Sequence, residues 1–110
     1  MRKTIWSNEF SDFYEVQQPI VQEKIDYLLE IVKEKQMLHS KIVKKLINTQ
    51  FYELRITLGQ EYRIIIYPYD HKNIIEAEII ILLNGFVKKS TKDYKRNIKI
   101  ANNILKKLEL

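Results

Sequence analysis

The 110-residue chain contains no cysteine, which excludes a disulfide scaffold, a cysteine-ligated zinc and a thiol nucleophile. Histidine is almost as scarce. Only His39 and His71 occur, and neither has a second histidine or a carboxylate at a recognisable ligand spacing, so no metal and no other cofactor is expected. Glycine and proline number two each. Linkers rich in Pro, Gly or Ser are therefore absent, and each of these residues reads as punctuation. The longest apolar run, residues 79–83, falls far short of the roughly 20 residues a membrane helix needs. The opening segment Met1-Arg2-Lys3-Thr4-Ile5-Trp6 lacks an apolar signal region. The cytoplasm is the expected location, with no membrane partner.

What is present suits one globular domain over residues 1–110, large enough for a single core and too small for two. Charge is unevenly placed. Lys88, Lys89, Lys92, Lys95, Arg96 and Lys99 stand against Asp93 alone, a balance of +5 that equals the formal net charge of the whole chain. Such a patch calls for an anionic partner or plain solvation, and the interleaved Phe86 and Tyr94 point towards nucleic acid.

The periodicity divides the chain into helical and extended parts. Residues 3–6 predict a short strand. Ser7 or Asn8 can cap a helix through Tyr14, and Pro19 fits the first turn of a second helix, where no N–H is required. In that second helix Val21, Ile25, Leu28, Leu29 and Val32 recur at helical spacing. A polar joint follows over residues 35–45. Residues 51–58 then alternate, Gly59-Gln60 marks a turn, and residues 61–69 are rich in Ile and Tyr, a strand composition. Asp70-His71-Lys72-Asn73 reads as a second turn. Residues 74–83 predict a third strand, apolar on both faces and hence interior, which breaks at Asn84-Gly85. Ser90 or Thr91 can cap a last helix in which Tyr94, Ile98, Ala101, Leu105 and Leu108 face the sheet. The expected architecture is α+β: a small antiparallel sheet with an N-terminal helical pair and a C-terminal helix.

Two arginines lie inside the predicted strand pair, in Phe51-Tyr52-Glu53-Leu54-Arg55 and Glu61-Tyr62-Arg63-Ile64. Each reads either as a solvated or carboxylate-paired residue, with Glu53 or Glu61 as partner, or as an anion donor. Whether Arg55 and Arg63 share a face depends on the turn. A two-residue loop at Gly59-Gln60 puts them on opposite faces. A three-residue loop, with Gly59 supplying a positive φ, puts them together.

The set Lys45-Leu46, Phe51-Tyr52-Glu53-Leu54-Arg55, Tyr62-Arg63-Ile64 and Leu82-Leu83-Asn84-Gly85-Phe86-Val87-Lys88-Lys89-Ser90 resembles the HigB branch of the RelE/ParE superfamily. These are phage- and plasmid-associated toxins of type II toxin–antitoxin systems. The resemblance is strong from about Lys44 onward and covers the N-terminal helices in outline only. The glutamate-leucine-arginine strand combined with the phenylalanine-x-lysine-lysine-serine strand end is specific; either alone is weak. The chain departs at Tyr94, where the branch usually carries proline and other branches carry tyrosine nearby. Tyr94 is thus open to a site role and to a core role.

The resemblance implies a RelE-like fold and a metal-independent, ribosome-dependent mRNA endonuclease, in which the ribose 2′-hydroxyl attacks its own phosphodiester. Arg55, Arg63, Lys88 and Lys89 are the implied catalytic residues. The chemistry agrees, because a crowded phosphate gaining charge needs fixed cationic donors. With no histidine near the basic tract, lysine must be considered for proton transfer, although Lys88 and Lys89 can equally serve only as phosphate-neutralising contacts. Phe86 and Tyr94 can stack on a splayed base, and Lys92, Lys95, Arg96 and Lys99 can follow RNA phosphates. Each also has a plainer role: Phe86 and Tyr94 as core, the lysines as a solvated helix entry. The implied partners are the ribosome, mRNA and a cognate antitoxin, in this branch often a small helix-turn-helix protein. Two alternatives compete: a gyrase inhibitor like the ParE branch, and a non-catalytic basic nucleic-acid-binding module. The absence of helix-turn-helix spacing lowers the second.

Overall fold

The computed structural model describes residues 1–108. In chain order these form β1 (Lys3–Trp6), α1 (Asn8–Glu15), α2 (Pro19–Glu34), β2 (Val43–Lys45), β3 (Tyr52–Leu58), β4 (Gln60–Pro68), β5 (Ile79–Val87) and α3 (Lys92–Leu108). One five-stranded sheet has the order β1-β5-β4-β3-β2. The meander β2–β5 is antiparallel, whereas β1 joins the outer edge of β5 in parallel, from Lys3↔Ile79 to Trp6↔Leu82. The sheet is therefore mixed where a wholly antiparallel one was expected. The rest of the α+β architecture agrees.

The helices begin where the sequence allows. Ser7 is the N-cap of α1 and its hydroxyl accepts from the Phe10 N–H at 2.9 Å, satisfying one of the orphan donors of the first turn. Pro19 sits in the first turn of α2. The C-terminal end of α2 is closed by Arg2, only 6% exposed, whose guanidinium donates to the carbonyls of Val32 (2.9 Å), Gln36 (2.7 Å), Ile74 (3.1 Å) and Lys35. A cation is favoured there because orphan carbonyls concentrate negative potential. Burial pulls the Arg2 pKa down.

Strand alternation sorts the core into two layers. Leu54, Ile56, Tyr62, Ile64, Ile66, Ile80 and Leu82 pack with α1 and α2 on one face. Ile65, Ile81, Leu83 and Phe86 pack under Ala101, Ile104 and Leu105 of α3 on the other. This explains the unbroken apolar run of β5, which is covered by helices on both sides. In α3 the buried stripe is Asn97, Ala101, Ile104 and Leu105, and Leu108 is 45% exposed.

Three boundaries differ from expectation. Residues 74–77 are not strand. The N–H groups of Glu76 and Ala77 return to the Asn73 carbonyl, and Asp70 takes the N–H groups of Glu78 and Ile79, so a capped turn leads into β5. β5 does not break at Asn84-Gly85 but runs on to Val87. Gly85 is there for close approach: a Cβ would lie 2.4 Å from Phe13 Cδ2. Finally, β2 lies inside the segment read as a polar joint.

Gly85→Ala should therefore push the Phe13 ring against β5 and cost about 1–3 kcal/mol, the range for overpacking. Thermal denaturation checks this. Combining it with Phe13→Ala should be strongly non-additive; simple additivity would mean the two do not compete for one space.

Candidate functional site

The turn between β3 and β4 decides which side chains meet. Gly59 has φ 74°, and pairing runs Leu58↔Gln60, Thr57↔Glu61, Arg55↔Arg63. Directly opposed residues of an antiparallel pair share a face, so this odd-length loop puts both arginines on the side covered by α3. β5 extends the pattern, because Arg63 faces Phe86 and Ile65 faces Asn84. The Lys88 N–H donates to the Glu61 carbonyl at 2.7 Å. Three adjacent rungs on one face thus carry Glu53–Ile65–Asn84, Arg55–Arg63–Phe86 and Thr57–Glu61–Lys88.

Arg63 lies at the bottom of this cluster, 2% exposed. Its Nε donates to Tyr94 Oη at 3.0 Å and lies 2.9 Å from Glu53 Oε1. Nη1 donates to the Tyr62 carbonyl at 2.9 Å and Nη2 to Glu61 Oε1 at 3.1 Å. Burial alone lowers the pKa of the guanidinium, but the bonds to Tyr94 and Glu61 outweigh it and the net direction is upward. Glu53 is as deeply placed, 4% exposed, and its Oε1 also accepts from Tyr94 Oη at 2.7 Å. Arg55, half-buried, reaches the same oxygen at 3.6 Å, an ion contact too long for a hydrogen bond. Burial and the bond to Glu53 raise the Tyr94 pKa.

Tyr94 is delivered by the start of α3. The Asp93 carboxylate accepts from the N–H groups of Lys89 (2.7 Å) and Ser90 (3.0 Å), while Ser90 Oγ accepts from the Lys92 N–H at 3.3 Å. This reciprocal arrangement is a capping box. It turns the chain after β5 so that the Tyr94 ring meets Phe86 edge-on, with centroids 5.6 Å apart, and Lys88 Nζ stands 5.7 Å from the Tyr94 ring centroid.

The residues singled out in the sequence are thus distributed unequally. Arg55, Lys88 and Tyr94 gather, half-buried, around Glu53 and Arg63. Phe86 is 8% exposed and belongs to the core under α3. Lys89, Lys92, Lys95, Arg96 and Lys99 are exposed, and Arg96 pairs with Asp93 at 3.2 Å. Tyr94 joins both readings, with its hydroxyl in the polar network and its ring against Phe86.

Glu53 was visible in the sequence only as a partner for an arginine, and its central place was not foreseen. Its separation of two from Arg55 on a strand was the available signal. Asn84 and Asn97 were also missed. Asn84 Nδ2 donates to the Asn97 carbonyl at 3.2 Å and fastens α3 to β5. Chemically, the cluster offers fixed cations beside an aromatic ring, a suitable surface for an RNA phosphate and its base. Among the described residues no group of three or more His, Cys, Asp or Glu is placed to hold a metal ion, and no helix is long and apolar enough to cross a membrane.

Comparison with known proteins gives a family and a fold. The model of the family described as phage derived protein Gp49-like matches residues 12–106. No curated protein matches the chain. A mutant of the Escherichia coli toxin RelE in the free state is 14% identical, with a TM-score of 0.63 over 87% of this chain and 93% of that one. The intact E. coli RelBE toxin–antitoxin complex contains a chain 13% identical, with a TM-score of 0.60 over 82% of this chain and all, 100%, of its own. At such identities the likeness is one of fold.

Two measurements test the cluster. Glu53→Ala leaves Arg63 buried without its closest carboxylate and should cost about 3–5 kcal/mol in urea denaturation; Glu53→Gln should cost less. Asp93 has its pKa lowered, first by the backbone N–H groups of Lys89 and Ser90 and further by Arg96. A depressed folded-state value means the cap is complete above the ordinary aspartate range. It is lost only as pH falls through that lowered value, below the ordinary aspartate range. The amide resonances of Lys89 and Ser90 should titrate in that acid window and stop doing so in Asp93→Asn.

Proposed function

The chain belongs to the family of phage-derived Gp49-like proteins, and from that premise we propose that it is the toxin of a type II toxin–antitoxin system, in the HigB branch, cleaving ribosome-bound mRNA. The gathering of Arg55 and Lys88 on one sheet face around Tyr94 carries this reading. The RelE-like fold supports it. In the proposed reaction the 2′-oxygen bonds to phosphorus, the bond to the 5′-oxygen breaks, and a 2′,3′-cyclic phosphate and a 5′-hydroxyl result. One proton leaves the 2′-hydroxyl and one reaches the 5′-oxygen, with Lys88 and Lys89 as the transfer groups. Arg55 stabilises the charge on the crowded phosphate.

Arg63 acts from below in this scheme, because its donors are engaged by Glu53, Glu61 and Tyr94. It fixes the positions of groups that meet RNA. Tyr94 offers its ring, since its hydroxyl is committed between Arg63 and Glu53. Lys92, Lys95, Arg96 and Lys99 form an exposed ridge for ribosomal RNA phosphates. A cognate antitoxin, a small helix-turn-helix protein, would hold the toxin inactive in the cytoplasm.

Expression of the wild type should arrest growth and generate new mRNA 5′ ends, and Lys88→Ala should relieve both while remaining folded. Arg55→Ala should reduce cleavage about a hundredfold or more, as loss of a charge-stabilising donor does. Arrest with intact mRNA that persists in Lys88→Ala would instead favour inhibition of DNA gyrase.

A further inference from the structure

A second feature lies on the same face of the sheet, beyond the catalytic cluster. A cleft of about 840 Å³ opens between the β2–β3 loop, the end of β4 and the middle of α3. Phe51 forms its floor, with the Tyr67 ring edge-on to it at 6.0 Å. Tyr69, 58% exposed, stands at the rim. Lys45 and Lys72 also line it.

The single carboxylate in the lining, Asp70, is already occupied by the N–H groups of Glu78 and Ile79. Lys72 is exposed and free of that carboxylate, whereas Lys45 Nζ donates to the Leu46 and Thr49 carbonyls and stands 5.7 Å from the Tyr52 ring centroid. His71 Nδ1 accepts from the Asn73 N–H at 3.0 Å, which leaves Nε2–H as the donor.

We propose that this cleft is a subsite for single-stranded RNA, holding the nucleotides next to the reacting phosphate. Three observations converge. Two tyrosine rings beside two lysines make the stacking platform and charge that bind unpaired strands without sequence preference. The cleft is also continuous with the cluster through two elements. Arg63 and Tyr67 lie on one face of β4, about 13 Å apart at strand rise. Tyr94, Ile98 and Asn102 follow one another at single helical turns along α3, and the last two line the cleft. A strand whose phosphate reaches Lys88 therefore finds an aromatic, cationic trough in its path.

This rests on the nuclease reading for the identity of the strand, and the test separates the two. Fluorescent RNA dinucleotides and hexanucleotides are titrated against the intact protein by anisotropy. The wild type should bind the hexanucleotide about tenfold or more tightly than the dinucleotide, the scale of one stacked base. Tyr69→Ala and Lys72→Glu, both at exposed positions, should each reduce that advantage and leave dinucleotide affinity unchanged.

Equal affinity for the two lengths overturns the proposal, as does a length advantage that both variants retain. Loss of antitoxin binding in the variants with RNA binding intact would make the cleft a protein-docking groove and overturn it too. A length advantage that disappears in the variants, found together with uncleaved mRNA in cells, would uphold the subsite and reject the nuclease.

Discussion

A guanidinium that is 2% exposed must find acceptors for its donors and charge, and Arg63 finds them chiefly in the carboxylates of Glu53 and Glu61. Much of the arrangement around it follows from that requirement. Taking two charges out of water costs several kcal/mol each, so the pair survives only where the remaining donors and acceptors also find partners. Tyr94 is such a partner to both ions, which ties α3 to the sheet at one defined position. A greasy contact would allow α3 to slide along β4 and β5; a hydrogen-bonded ion pair does not. The pair thus fixes where the helix begins its crossing of the sheet, and with it which basic residues face outwards.

The capping box at the start of α3 works with the same constraint. Asp93 is the one acidic residue in the basic tract, and its carboxylate is turned back on the Lys89 and Ser90 amides. Its charge is spent locally, at the positive end of the helix where an anion is favoured. The outer surface of the tract is left almost purely cationic. Strong positive potential and a well-made helix start are reconciled by one residue.

How much of this the sequence discloses depends on the kind of information involved. The buried face of α2, Val21, Ile25, Leu28, Leu29 and Val32, is legible residue by residue, because a helical period repeated over four turns has no rival explanation. β3 and β4 are legible from composition. β2 is not, because three residues are too few to show alternation. The shared face of Arg55 and Arg63 turns on the parity of one loop, which Gly59 permits but does not dictate. Gly85 misleads because a glycine demanded by an approaching ring looks the same as one demanded by a bend. Glu53 is hidden for a similar reason: whether a strand carboxylate is solvated or central depends on what crosses above it. The basic tract was plain, whereas the inward place of Arg63 was not.

The way Arg2 is held has a temporal consequence. Its guanidinium is received by the carbonyl of Val32 and by that of Ile74, which lies 72 residues beyond the arginine. At the usual pace of synthesis, about 5–20 residues per second, several seconds separate the making of the arginine from the making of its last acceptors. β1 waits still longer for β5, and Glu53 and Arg63 wait a shorter time, for Tyr94. A nascent chain can form its helical pair early, but β1 and Arg2 are locked only once Ile74 and β5 have been made. Elongation that stops before α3 leaves a polypeptide whose polar cluster lacks Tyr94, so synthesis of that helix is itself the last step in building the site.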